Sequence, residues 1–246
     1  MFAAMMARGG TPTDDGARAH GVRLDRDVIV EAAQRILSDE GLSALTMRRI
    51  GTELGADPTA VYRHFRDKEE LVTELADRAF VGIPAADPAL PWQERLRQQL
   101  HDALDLYRSN PDFAMQLAHQ PEDTPGLQRI AENILGLLAD AGLDPRQRAV
   151  VYQLVTNYAV GSGLYIGQLL LDDWGPETIP AMRRHYAALA PEEYPRCVES
   201  APHLFADQDE VYDLGVDMLI DAIEKLARSG ARPKGASKRS TTKGRI

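Results

Sequence analysis

Between Leu24 and Phe80 the chain sets down four helix starts in close succession, and their spacing leaves few folds open. Asp25 can cap a first helix whose apolar stripe is Val28, Ile29, Ala32, Ala33, Ile36 and Leu37, and which stops at Gly41. Thr46 can cap a short second helix with Met47, Ile50 and Leu54 on its inner face, closed by Gly55. Asp57-Pro58 is an N-cap with proline at the first helical position, and it opens a very short third helix from Thr59 to Phe65. Asp67, with Glu70 three residues on, has the spacing of a capping box and starts a fourth helix that reaches Val81. Two short helices joined by a tight glycine-containing turn make a helix-turn-helix. Leu45, Ile50, Leu54, Val61 and Phe65 can pack the two together, which leaves Thr59, Ala60, Arg63 and His64 facing away with Tyr62 beside them. The early residues of a recognition helix must reach base edges in the major groove, and this face is arranged to do so.

The remainder reads as helix almost throughout, with no alternating pattern of convincing length, so the expected fold is all-α. Residues 1–22 lack an apolar period and read as a flexible arm, followed by a three-helix helix-turn-helix domain over 23–82. Three prolines between Gly82 and Pro91 mark the clearest internal break. A second helical domain is expected over 83–229 and a basic, disordered tail over 230–246. One stripe in the second domain is Leu96, Leu100, Leu104 and Tyr107, and another is Leu127, Ile130, Ile134, Leu137 and Leu138. A long helix is expected from Pro145 to Leu171, one near Glu177 to Leu189, loop from Pro191 to Pro202, and a last helix from Gln208 to Ala227. The long helix and the last one are apolar on several faces and must be buried on several sides, which points to a four-helix homodimer interface. Gly161-Ser162-Gly163 would let another helix come close.

Charge bears on what such a chain can bind. The net charge is −9, distributed as −3 over residues 22–82, −12 over 83–229 and six basic groups on the tail. Affinity for nucleic acid must therefore come from a few placed side chains, since counterion release depends on the groups that meet phosphates. Cys197 is the only cysteine and reads as a small apolar filler, and intrachain disulfides are excluded. No apolar run has the roughly 18 residues of a membrane span, and the apolar start is too short for a secretory signal, so a cytoplasmic protein with no membrane partner is expected.

The stretches Leu45 to Gly55 and Pro58 to Leu71 resemble the TetR family of transcriptional regulators throughout. The paired Tyr62 and Phe65, with Lys68 at the head of the next helix, are the most distinctive part. Asn110-Pro111-Asp112 and the segment Thr124 to Leu170 look most like the C-terminal type of the tetracycline repressor. The resemblance implies that 83–229 is a ligand-binding and dimerisation domain, and that a dimer binds double-stranded, palindromic operator DNA. It also implies contacts for individual residues. Thr46 and Lys68 would meet phosphates at helix N-termini, as would the Tyr62 hydroxyl, and His64 would sit against the backbone. Arg48 would reach a guanine edge, Thr59 and Ala60 would touch thymine methyls, and Arg63 would do either. Arg18, His20 and Arg23 of the arm would enter the minor groove.

For the effector, the expected wall residues are Trp92, Leu100, Leu104, Tyr107, Phe113, Leu117, Ile130, Ile134, Leu137, Tyr158 and Tyr165, suited to a small and largely apolar molecule. The tetracycline repressor's ligand arrives with magnesium, which draws attention to His101 and His119. The six histidines form no close-spaced pair, so neither a metal nor a cofactor is expected. Ligand would swing the recognition helices off register through the fourth helix and release repression. Ligand-dependent activation is the alternative within the family. A helical enzyme is the alternative outside it, and the chain has no phosphate loop, nucleophile elbow or metal motif to support that reading.

Overall fold

The computed structural model describes residues 24–119, 123–172 and 175–230; the arm and the basic tail, with their expected DNA contacts and disorder, lie outside them. Among the described residues the chain is all-α, with eleven α-helices, two short 3-10 turns and no strand. Helix α1 (Arg26–Glu40) starts where the Val28 amide donates to Asp25 at 2.9 Å. It buries Ile29, Val30, Ala32, Ala33, Ile36 and Leu37, so Val30 takes the core place expected for Val28. Helix α2 (Met47–Glu53) is capped by Thr46, which accepts from the Arg49 amide at 3.0 Å. Helix α3 (Pro58–Tyr62) is capped by Asp57 and stops three residues short of Phe65. The chain turns out after Tyr62, Phe65 is fully buried, and Arg26, far away in sequence, takes up the His64 carbonyl at 2.6 Å.

Helix α4 (Lys68–Val81) begins at Asp67, which accepts from the Glu70 amide at 2.8 Å. The reciprocal half of the capping box is displaced by one residue. Glu70 accepts from the Arg66 amide at 2.8 Å while Arg26 holds the same carboxylate at 2.9 Å.

Beyond the proline-rich break come α5 (Trp92–Ser109), a 3-10 turn at Pro111–Phe113, α6 (Ala114–Ala118), α7 (Pro125–Asp140) and α8 (Pro145–Leu171). Asp144 and Gln147 form a complete capping box at the head of α8. Helix α9 (Thr178–Ala187) and helix α10 (Pro195–Ser200) follow, and α11 (Gln208–Gly230) ends the described chain. Helix α10 replaces expected loop, and Pro195 at its first turn is the signal that announces it. Neither α9 nor α10 buries a residue, and they pack chiefly on each other and on the turn at Ala201–His203.

Two apolar clusters hold the fold. The first joins α1–α4 to Leu106, Tyr107, Phe113, Ala114 and Leu117, so the helix-turn-helix core continues into the base of the second half. The second gathers Leu96, Leu100 and Leu104 of α5 with residues of α7, α8 and α11. Helix α5 is tied to α11 by polar rungs: Gln93 to Glu224 at 2.9 Å, Arg97 to Asp217, His101 to Asp213 at 3.1 Å, and Arg108 to Asp209. Tyr212 adds a buried bond from its hydroxyl to the Leu100 carbonyl at 2.8 Å.

A close approach exists in the Gly161-Ser162-Gly163 stretch, though within the chain itself: a Cβ on Gly163 would lie 2.5 Å from the Tyr107 ring of α5. Gly136, also mid-helix, has open space around it. Opposite outcomes are expected at the two positions. Gly163→Ala should destabilise by about 1–3 kcal/mol through overpacking, and Gly136→Ala should stabilise by about 0.5–1 kcal/mol through helix propensity. Urea unfolding followed by circular dichroism checks both.

Candidate nucleic-acid interface and ligand cavity

Nine basic side chains occur in residues 22–82, and the structure sorts the described ones into two groups. Five are held by carboxylates: Arg26 by Glu70 and Glu74, Arg35 by Glu53, Arg49 by Glu40 and Glu53, Arg66 by Asp67, and Arg78 by Asp27 and Glu74. Arg26 also lies 4.0 Å above the Phe65 ring, where it covers the core. Arg48, Arg63 and Lys68 form no ion pair among the described residues, and all three are exposed. Lys68 has only a 3.3 Å bond from Nζ to the Leu42 carbonyl. Much of the acid in this half is thus engaged in internal ties, and the cations without an ion pair are the ones on the expected DNA face.

The other expected contacts sit around them. Thr46 is exposed at the α2 N-cap, and Tyr62 is 53% exposed at the end of α3. Thr59 is exposed, but its hydroxyl donates to Asp57 at 2.5 Å, which leaves its methyl group as the free surface. Ala60 and His64 are half-buried. Arg63 and His64 lie past the end of α3, so they project from the turn and not from a helical face.

The caps that shape this face carry charge. The Thr59 hydroxyl, then the Thr59 amide, holds the Asp57 carboxyl below its ordinary range. The Glu70 amide, then the Arg66 guanidinium, does the same for Asp67.

A cavity of about 430 Å³ lies between α5, α7 and α8. Of the expected wall residues, Leu100, Tyr107, Leu117, Ile130 and Ile134 line it. Six do not. Trp92 packs against the second apolar cluster, which also absorbs Leu104 and Leu137, while Phe113 belongs to the first cluster. Tyr158 and Tyr165 line a separate groove between α8 and α11. Hydrophobicity does not tell a cavity wall from packed core, since both need the same side chains. The walls not anticipated include Phe80, Ile83, Gln99, Tyr152, Gln153 and Thr156. Gln99 had a signal: it is a polar residue on the buried face of α5, between Leu96 and Ala103. Burial pushes the Tyr107 phenol up to about 12.

No carboxylate or imidazole is among the described lining residues, a donor set unsuited to magnesium. His101 faces Asp213, and His119 Nδ1 lies 2.7 Å from the Met115 carbonyl.

The cavity wall reaches the helix-turn-helix in two ways. Phe80 and Ile83, at and just past the end of α4, line it directly. Helix α7, which contributes Leu127, Ile130 and Ile134, also grips α4: the Gly126 amide donates to Asp77 at 2.6 Å, and Arg129 donates to the Phe80 carbonyl at 3.2 Å. On the other side, Asp112 accepts from the Leu42 amide at 2.6 Å, beside Gly41 with its left-handed φ of 78°.

Apolar side chains are exposed along α8 and α11, among them Val150, Leu154, Tyr165, Val211, Leu214 and Met218. No described helix is long and apolar enough to cross a membrane.

Residues 29–75 match the model of the bacterial regulatory proteins of the tetR family, and residues 84–227 match the tetracyclin repressor-like C-terminal domain. The HTH-type transcriptional repressor DrrR1 of Streptomyces coeruleorubidus is 28% identical over 217 residues, covering 82% of this chain and 78% of that protein. The crystal structure of ActR from Streptomyces coelicolor in complex with actinorhodin superposes with a TM-score of 0.76 at 22% identity, over 87% of this chain and 100% of that one. BioQ of Mycobacterium smegmatis, with its double-stranded DNA operator, does so with a TM-score of 0.59 at 22% identity, over 82% and 99%.

Groups with depressed carboxyl values contribute stability above their unfolded values and lose it as pH falls through the folded ones. The thermal midpoint is therefore expected to hold steady down to roughly pH 5 and to fall below about pH 4. Asp57→Asn keeps a capping acceptor without a titrating charge, and it should flatten part of that fall. Melting curves across the acid range check this.

Proposed function

The chain belongs to the TetR family of transcriptional regulators, and on that premise we propose that it is a ligand-responsive repressor. It binds a palindromic operator as a homodimer and leaves it when a small, largely apolar effector fills the cavity between α5, α7 and α8. The observation that carries the reading is the place of Phe80 and Ile83: a molecule in the cavity touches the end of the helix that bears the helix-turn-helix. The names of similar proteins agree with it, since DrrR1 is called a repressor and ActR is seen with actinorhodin.

On the DNA side, Arg48, Arg63 and Lys68 supply the free charge, Thr46 and Tyr62 the hydroxyls for phosphate, and Thr59 and Ala60 the apolar contact with thymine. His64 packs against the sugar-phosphate backbone. A single helix-turn-helix reads few base pairs, so two must be held about 34–36 Å apart. The exposed apolar faces of α8 and α11 support their burial in a four-helix interface with a second copy. On the effector side, Leu100, Tyr107, Leu117, Ile130 and Ile134 make contact. Ligand moves α7, and with it α4 through Asp77 and Phe80, so the two recognition helices lose their register. Operator affinity drops by the difference in ligand affinity between the two states, and by no more.

The test is a gel shift with genomic fragments, followed by recovery of the bound site. Binding should be specific and salt-sensitive. Arg48→Ala should cost about 1–3 kcal/mol per half-site, and combining it with Tyr62→Phe should weaken binding further. Binding indifferent to both changes sinks the DNA assignment. Ligand that strengthens the shift in place of releasing it establishes the activator alternative.

A further inference from the structure

Two polar side chains on the inner face of α5 are buried against the cavity without partners. Gln99 is 5% exposed and Tyr107 2% exposed, and both line the space. Among the described residues neither side chain makes a hydrogen bond, in contrast to Asn110 one turn further on, which is equally buried and donates to the Leu106 carbonyl at 3.1 Å. An amide that opens onto such a space and has no protein partner usually meets a ligand or an ordered water. The rest of the enclosure is apolar or uncharged: aliphatic and aromatic groups at the base, with Gln128 and Gln153 at exposed positions. An ionised ligand would lose its hydration there and find no described countercharge.

We propose that the cavity selects uncharged, largely apolar carbonyl compounds, and that the Gln99 amide is the group that reads the carbonyl oxygen. Gln99 Nε2 donates to that oxygen, while the apolar frame of the ligand lies against Leu100, Ile130 and Ile134. Tyr107, eight residues further and about 12 Å along the helix axis, offers a neutral hydroxyl to a second oxygen in longer molecules. This assignment rests on the effector role put forward above but is tested separately from it.

The probes are 9-fluorenone, fluorene and fluorene-9-carboxylate, which share one tricyclic frame and differ at a single position as ketone, hydrocarbon and anion. Binding is measured by calorimetry on the full chain without DNA. The expected order is ketone about tenfold tighter than hydrocarbon, with the carboxylate weakest by at least a further tenfold. Gln99→Met removes the amide and keeps the length, and it should bring ketone and hydrocarbon to within about twofold of each other. The unliganded melting temperature of that variant should be unchanged or higher, because no internal hydrogen bond is lost. Gln99→Leu serves as a second variant with the same expectation.

A carboxylate bound as tightly as the ketone overturns the proposal, as does a ketone preference that survives both changes. A clear fall in the unliganded melting temperature also overturns it, since Gln99 would then have an internal partner. Failure of all three probes to bind up to their solubility overturns it too. A ketone that binds with the expected preference yet leaves the operator complex intact refutes the effector role and leaves the assignment of Gln99 standing.

Discussion

The packing of Phe80 sets the terms for the rest of the molecule. It is 6% exposed, it belongs to the apolar cluster that holds the helix-turn-helix together, and it forms part of the wall of the cavity. Close-packed side chains transmit displacement because they have no slack. The same cluster includes Leu106, Tyr107 and Phe113 from the second half, so no layer of loose contact separates reader from receiver. Here the final turn of α4 is shared, and bonds from Gly126 and Arg129 of α7 grip it on one side while Asp112 holds the end of α1 on the other.

The charge distribution follows from the same economy. An acidic domain can leave free cations on its expected DNA face because several of its carboxylates pair with arginines locally. Glu40, Glu53, Glu70 and Glu74 clamp the arginines that build the domain and leave Arg48 and Arg63 unclaimed. Net charge is a sum over roles, and in this domain the sum has the opposite sign to the unpaired side chains Arg48, Arg63 and Lys68.

Legibility in the sequence tracked how local each cause is. The caps at Asp25, Thr46, Asp57 and Asp67 could be read because a cap is a contact between residues three or fewer apart. The bounds of α8 agree with its expected range for the same reason. Where the cause is distant, reading failed. The early end of α3 depends on Arg26, thirty-eight positions from the carbonyl it holds. The division of apolar residues between wall and core depends on where α5, α7 and α8 diverge, which no stripe encodes; Leu100 and Leu104 share one apolar cluster, yet only Leu100 also lines the cavity. Gln99 was missed as well, although a polar residue on the buried face of α5, beside an apolar stripe, carried a signal.

The rungs between α5 and α11 have a consequence for how such a receptor can change. They lie on one side of α5, at Gln93, Arg97, His101 and Arg108, while Gln99, Ala103 and Tyr107 look into the cavity from another. Position and content of the helix are thus written on separate faces. On the proposed effector role, substitutions at Gln99 and Ala103 can retune which molecule is sensed while leaving the rungs to α11 in place. Divergence of chemical taste and preservation of the response can proceed independently, which makes this helix the natural place to begin building sensors for new compounds.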